Sequence, residues 1–369
     1  MRDARDMAAI ALPFAAGVAA CAALAGGAAS GPGAADTAAA GFAASAVLAG
    51  AVGLTAFIFR RRTGPLPYIL LFFCLGCFCF LTRALLPQAA APGPVGRLAT
   101  NALDGLRRLI AALPLEHGST HSLVAALMTG ERSGLTAEQT AAFRDSGASH
   151  ILALSGLHLG VIYLIISKLL SVFGNTPAIR RMRSALIVLL AGFYTLATGA
   201  GPSIVRAFLF ILIRETWSLF PERRTSPVRI LMTALTLQLA FRPEVITSLG
   251  FQLSYLAMTG ITILYPHLSA WYPDNGRAFQ PVRRIWQAAA LAVSCQIFTA
   301  PLAWMRFHNF PKYFILTNLL ALPLTSALMA ASVAAIALQG LGGCPAFLAG
   351  TVDFLAQSLL FVLDVISGM

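Results

Sequence analysis

The sequence predicts an all-α fold: a polytopic transmembrane helical bundle of about eleven spans, with a surface amphipathic helix region inserted after the third. Three observations carry this. Hydrophobic residues make up 58% of the 369-residue chain and charged residues only 11%, too little polar surface for a water-soluble fold. Mean hydropathy is +0.77. Apolar runs of about 20 residues recur along the whole length, and each can cross about 30 Å of hydrocarbon as a helix.

The runs fall at 7–29, 42–59, 67–86, 150–173, 184–200, 203–220, 228–242, 246–265, 285–304, 313–339 and 346–368. The first begins in "MRDARDMAAIALPFAAGVAAC", which resembles a secretory signal with a small-residue end. The apolar run continues past Cys21, so a retained first span is expected. With the N-terminus in the cytoplasm, alternation puts Arg60, Arg61, Arg62, Arg180, Arg181, Arg183, Arg223, Arg224, Arg229, Arg277, Arg283 and Arg284 in inside loops. The short outside loops receive Arg242, Arg306 and Lys312. That asymmetry predicts an N-terminus inside and a C-terminus outside. It also accounts for the net charge of +12 without invoking a polyanion. In the last run Asp353, Gln357 and Asp364 share a face, which suits either an interfacial helix or the lining of a polar cavity.

The chain divides into N-terminal spans (1–86), an extracytoplasmic linker with interfacial and short helices (87–149) and a C-terminal transmembrane core (150–369). The linker opens on "LPQAAAPGPVG", rich in turn formers. In "NALDGLRRLIAAL", Leu103, Leu106, Ile110 and Leu113 share a face away from Asp104, Arg107 and Arg108, which predicts a helix on the membrane surface. "TAEQ" reads as a capping box, Thr136 with Gln139, opening a short helix over 137–145 that Gly147 ends. Ser149 is placed to cap the span that follows.

Six cysteines show no disulfide framework. Cys74, Cys77 and Cys79 lie inside an apolar run, where cysteine behaves as a small hydrophobe, and no second cluster completes a metal or redox site.

The chemistry concentrates in "GASHILALSGLHLG", residues 147–160, which carries His150, Ser155 and His158 into a span. Ala153, Gly156 and Gly160 form a small-residue stripe on which a second helix can pack closely. Ser155 and His158, three apart, are surface neighbours. Interhelical hydrogen bonding is the plain reading of such residues; their depth in the membrane favours function. Same-helix spacing disfavours a nucleophile–base pair, which needs attack geometry and an oxyanion hole. The eight-residue spacing of His150 and His158 does not suit zinc, and there is no GxxxxGK[ST] loop to bind a nucleotide.

Later runs add polar groups. "GAGPSIVRA" opens a helix with Ser203 and Arg206 near free backbone N–H groups, an arrangement that attracts anions; an arginine snorkelling to the interface is the alternative. "LGFQLSYLAMTG" contributes Gln252 and Ser254. Gln296 and Asn318 each precede a proline, Pro301 and Pro323, that can break its helix, and broken helices belong where they line a cavity.

"ALMTGERSGLTAEQTAAFRDSGASHILALSGLHLG", followed in order by GPSIVRA, LGFQLSYLAMTG, Gln296 to Pro301 and NLLALP, resembles the ComEC competence family over roughly residues 110–340. The resemblance implies a bacterial inner-membrane channel that passes single-stranded DNA into the cytoplasm during natural transformation. It implies no catalysis by this chain and no cofactor or metal. Many family members carry an OB-like domain where this chain has its linker, and a metallo-β-lactamase-like domain after the spans; neither is in this sequence. The implied partners are therefore single-stranded DNA, membrane lipids, and a separate DNA receptor, nuclease and helicase-type ATPase. The expected pathway residues are His150, Ser155, Gly156, His158, Ser203, Arg206, Gln252, Ser254, Gln296 and Asn318. The alternatives are a small-solute or lipid transporter on the same scaffold, and an intramembrane serine hydrolase using Ser155 and His158.

Overall fold

In lipid every backbone polar group must be satisfied within the chain, and helices do this locally. A computed structural model describes residues 2–28, 66–85, 93–172, 174, 176–220, 226–272, 280–308 and 312–368, and all regular elements among them are helical. The span expected at 42–59, and Arg60, Arg61, Arg62, Arg223, Arg224 and Arg277, lie outside the described residues.

The helices are α1 (Arg2–Ala28), α2 (Leu66–Leu85), α3 (Pro94–Ala111), α4 (Gly118–Thr129), α5 (Ala137–Asp145), a turn α6 (Ser149–Leu152), α7 (Gly156–Ser171), α8 (Pro177–Ala197), α9 (Pro202–Ser218), α10 (Pro227–Phe241), a 3₁₀ turn (Pro243–Thr247), α11 (Leu249–Ile263), α12 (Tyr265–Ala270), α13 (Gln280–Phe307), α14 (Phe314–Gly340) and α15 (Ala346–Ser367). The expected spans on described residues fall mostly on helix, with 150–173 broken before α7. Four stretches, in α1, α13, α14 and α15, are long and apolar enough to cross a membrane; α2, α7 and α10 hold shorter apolar helices. The chain is a membrane protein, and the count of about eleven crossings stays an expectation of the sequence. Prolines open α3, α8, α9 and α10, at a helix position whose N–H has no internal partner to lose.

Contacts divide the chain into two units, residues 1–91 with 220–258 and residues 92–219 with 259–369. In the first, α1 packs on α2, α10 and the 3₁₀ turn. In the second, one core joins α3, α4, α5, α14 and α15 through Ile110, Leu123, Leu127, Phe143, Leu328 and Leu359, all buried. Another joins α7, α8 and α9 through Leu159, Ile187, Ile204 and Ile211.

Four expectations need correction. The run 150–173 is not one helix: after α6 the chain is extended at Ala153 and Ser155, and α7 begins only at Gly156. Ser149 is the first residue of α6, which Ala148 precedes without a side-chain cap; Ser155 is the serine that caps. Ala153 therefore lies outside α7, and the three-residue stripe is lost; a side chain built on Gly160 would meet nothing, so only Gly156 is closely covered. Conversely, Pro301 and Pro323 sit inside the continuous helices α13 and α14. Neighbouring hydroxyls and packing let spans absorb a proline, and the break falls at Ser155 instead.

The stretch 93–149 enters the bundle further than expected. The apolar face of α3 is as read, with Leu103 and Ile110 buried and Asp104 and Arg108 outward, but Ile110 and Leu113 belong to the core shared with α14 and α15. Leu109 reaches Gly340 at the end of α14. The helix α4, which the sequence reading did not resolve, is buried at Thr120, Leu123, Val124, Ala126, Leu127, Met128 and Thr129. Its start is tied to α15. Asp353 Oδ2 accepts the Glu116 N–H at 2.8 Å, and Gln357 Nε2 donates to Ser119 Oγ at 3.0 Å and Thr120 Oγ1 at 3.2 Å. Asp353 and Gln357 thus satisfy the start of a buried helix, whereas Asp364 is exposed. The capping box forms as read: Gln139 N–H donates to Thr136 Oγ1 at 3.1 Å, and Thr136 N–H to Gln139 Oε1 at 3.0 Å.

Candidate functional site

The site is built around the break before α7. Ser155 has extended backbone (φ −120°, ψ 174°), and its Oγ accepts the Leu157 N–H at 3.2 Å. His158, at the third helical position, returns the bond: its Nδ1 accepts the Ser155 N–H at 3.2 Å. This is a capping box with histidine where glutamate or glutamine is usual. Because Nδ1 accepts, the neutral ring carries its proton on Nε2. Nε2 is buried and has no hydrogen-bond partner among the described residues.

Ser155 Oγ and His158 Nδ1 are also 3.1 Å apart, within reach of a nucleophile–base pair. The same Nδ1 serves the backbone, however, and no acid orients the ring through Nε2. A triad needs both faces of the imidazole. The geometry is that of a helix start.

Gly156 is the first residue of α7, and a Cβ there would lie 2.8 Å from Arg206 Nη2 and 3.5 Å from Ala207 Cβ. The guanidinium of α9 therefore rests on bare backbone. Arg206 is 7% exposed, so it does not snorkel to an interface. Cys295 of α13 lies within electrostatic range of it, and half-buried Gln296 follows in the chain. His150 bonds through Nδ1 to the Gly147 carbonyl at 3.1 Å and has the Asn318 side chain of α14 beside it. His150 and His158 are near enough for their charges to interact. Asn318 Oδ1 is buried without a hydrogen-bond partner. His150, Ser155, Gly156, His158, Arg206 and Asn318 thus come together. Ser203 is half-buried in the first turn of α9.

Gln252 and Ser254 belong to the other unit. Gln252 Nε2 donates to the Ile246 carbonyl at 2.8 Å and so closes the 3₁₀ turn; Ser254 is half-buried in α11.

Sequence reasoning missed a second buried polar group. Glu215 of α9 is 7% exposed and accepts from Tyr163 Oη of α7 at 2.8 Å and Ser184 Oγ of α8 at 2.6 Å. The Arg214 guanidinium lies 5.6 Å from the Tyr163 ring centre. The available signal was a carboxylate inside an apolar run, which requires partners. Among the described residues no set of three His, Cys, Asp or Glu is placed to hold a metal ion.

The sequence profile of the family described as "Competence protein" matches residues 127–369, which contain this whole arrangement. The chain belongs to the competence protein family. Within that family it is similar to ComE operon protein 3 of Bacillus subtilis, 28% identical over 221 residues, which cover 59% of this chain and 26% of that protein. It is similar to Recombination protein 2 of Haemophilus influenzae at 26% identity, over 57% of this chain and 27% of that one. The Escherichia coli protein YcaI is 26% identical over 66% of this chain and 32% of its own length. The chain thus spans about a third or less of these relatives. No solved structure matches it. The competence-family match begins inside α4, so the buried end of that helix is part of the shared region.

Proposed function

We propose that this chain conducts single-stranded DNA across the bacterial inner membrane into the cytoplasm during natural transformation, with the break before α7 on its path. The observation that supports this best is the buried Arg206 guanidinium seated on Gly156, in a chain of the competence family. A fixed cation at the meeting of two helix starts attracts phosphate, and weak contacts at many points let a polyanion pass without lodging. His150, Ser155, His158, Ser203 and Asn318 line this part of the path, with Gln296 near it; Gln252 and Ser254 belong to the other unit and have no place in this part. The N-terminus is cytoplasmic and the C-terminus extracytoplasmic. A separate receptor, nuclease and helicase-type ATPase supply capture, strand degradation and drive.

The test is uptake of labelled DNA in a deletion strain carrying variants at matched membrane abundance. Arg206→Glu abolishes uptake and Arg206→Lys retains part of it. Normal uptake by Arg206→Glu removes the path from this site. The 3.1 Å contact between Ser155 and His158 favours a hydrolase as second reading; labelling of Ser155 by a fluorophosphonate would establish it.

A further inference from the structure

The three-cysteine run of α2 had no partner in the sequence; α1 supplies one. A Cβ on Gly17 of α1 would run into the Phe73 carbonyl of α2, and one on Gly76 into the Phe14 carbonyl of α1, so the two backbones touch. Two cysteines can bond when their Cα atoms lie about 4.4–6.8 Å apart. A glycine-on-glycine crossing brings the flanking residues of both helices close together. Cys77 directly follows Gly76, and its Sγ donates to the Gly17 carbonyl at 3.4 Å. Cys21 stands one turn beyond Gly17, on the same side of α1. The Cys21 and Cys77 side chains lie near enough to each other to interact electrostatically. Both are half-buried, so a small oxidant reaches them.

We propose that Cys21 and Cys77 form a redox-sensitive thiol pair that closes into a disulfide across the α1–α2 crossing. The partner reagent is a lipid-soluble two-electron oxidant of the quinone class. Two S–H bonds break and one S–S bond forms; the two protons and two electrons pass to the quinone, which leaves as quinol. A thiol reductant reverses the step. Metal binding does not compete, since no third ligand is placed to complete a site among the described residues. The bond joins α1 covalently to α2 and fixes the crossing from which α1 also meets α10 and the 3₁₀ turn. The proposal is independent of DNA passage.

The experiment uses the full chain in lipid nanodiscs, treated with decylubiquinone, or with copper phenanthroline, which passes the electrons to dioxygen and yields hydrogen peroxide. Denaturation with excess maleimide and intact mass then count free thiols. The six cysteines give six adducts before oxidation, four after it, and six again after dithiothreitol. Cys21→Ala and Cys77→Ala each give five adducts with or without oxidant. Cys74→Ala and Cys79→Ala fall from five to three. Six adducts after both oxidants overturn the proposal, as does a loss that survives Cys21→Ala, or a loss accompanied by a dimer on a non-reducing gel. Should Cys77→Ala fail to accumulate, Cys21→Ser carries the same test from the other helix.

Discussion

Ser155 and His158 illustrate how a catalytic-looking pair is told from a structural one. Each bond in the capping box has a predictable substitute. Removing the Ser155 hydroxyl leaves the Leu157 N–H without its acceptor and costs about 0.5–2 kcal/mol. Ser155→Ala therefore lowers thermal stability but keeps substantial DNA uptake. His158→Gln places the usual capping-box residue at the third helical position, where its carbonyl accepts the Ser155 N–H; uptake is retained better than in His158→Ala. A catalytic pair requires the reverse, with Ser155→Ala and His158→Gln both inactive. Gly156→Leu is the severe change, because the new side chain takes the place of Arg206 Nη2. Uptake at matched abundance ranks all four. Asp353 offers a stability counterpart. It is 5% exposed, and its carboxylate accepts the Glu116 N–H while facing His117 Nδ1 at 3.5 Å. Asp353→Ala removes a hydrogen bond to a charged acceptor, worth about 1.5–3 kcal/mol, whereas Asp353→Asn keeps one acceptor and loses less; melting of purified protein in detergent reads both.

At the scale of elements, helix positions were legible because apolar run length is a strong signal, and the runs 203–220, 228–242 and 346–368 match α9, α10 and α15 closely. Breaks were not legible by the same rule. The serine that caps α7 is surrounded by residues as apolar as any span interior, so hydropathy passed over Ser155, while Pro301 and Pro323 drew attention and interrupt nothing. The short α4 escaped because it is buried nearly all round and too short to stand out as a span. At the site, Arg206, His158 and Gly156 were readable one by one. Their meeting was not, since it depends on α9 crossing α7 at a glycine. Glu215 was missed because its partners, Tyr163 and Ser184, come from two other helices. The burial of α4 has a direct consequence. Leu123→Glu places an unpaired carboxylate in the core and prevents accumulation in the membrane. Leu98→Glu, on the exposed side of α3, does not. Immunoblots of membrane fractions separate the two, and equal accumulation would show that α4 is not held in the bundle.

For the molecule in the membrane, the proposed direction of transport depends on orientation, and one geometric and one electrostatic argument bear on it. The geometric one concerns α8. The cleft of about 520 Å³ beside α3 is lined by Gly130, Glu131, Arg132 and Ser133 together with Thr198 and Gly199, so the loop after α4 and the loop after α8 share one side. Arg180, Arg181 and Arg183 occupy the opposite end of α8, whose 21 residues rise about 30 Å, one hydrocarbon thickness. Charge gives the expected face, since arginines near span ends are usually retained in the cytoplasm. Single cysteines introduced into a background with all six native cysteines replaced test both together. With a membrane-impermeant maleimide on intact spheroplasts, Gly134→Cys and Thr198→Cys are labelled, and Arg181→Cys is labelled only after permeabilisation. If Arg181→Cys alone reacts from outside, the geometry stands and the orientation is inverted. If Gly134→Cys and Arg181→Cys both react from outside, α8 does not cross the bilayer, and a path running from the break before α7 toward the cytoplasm loses its wall.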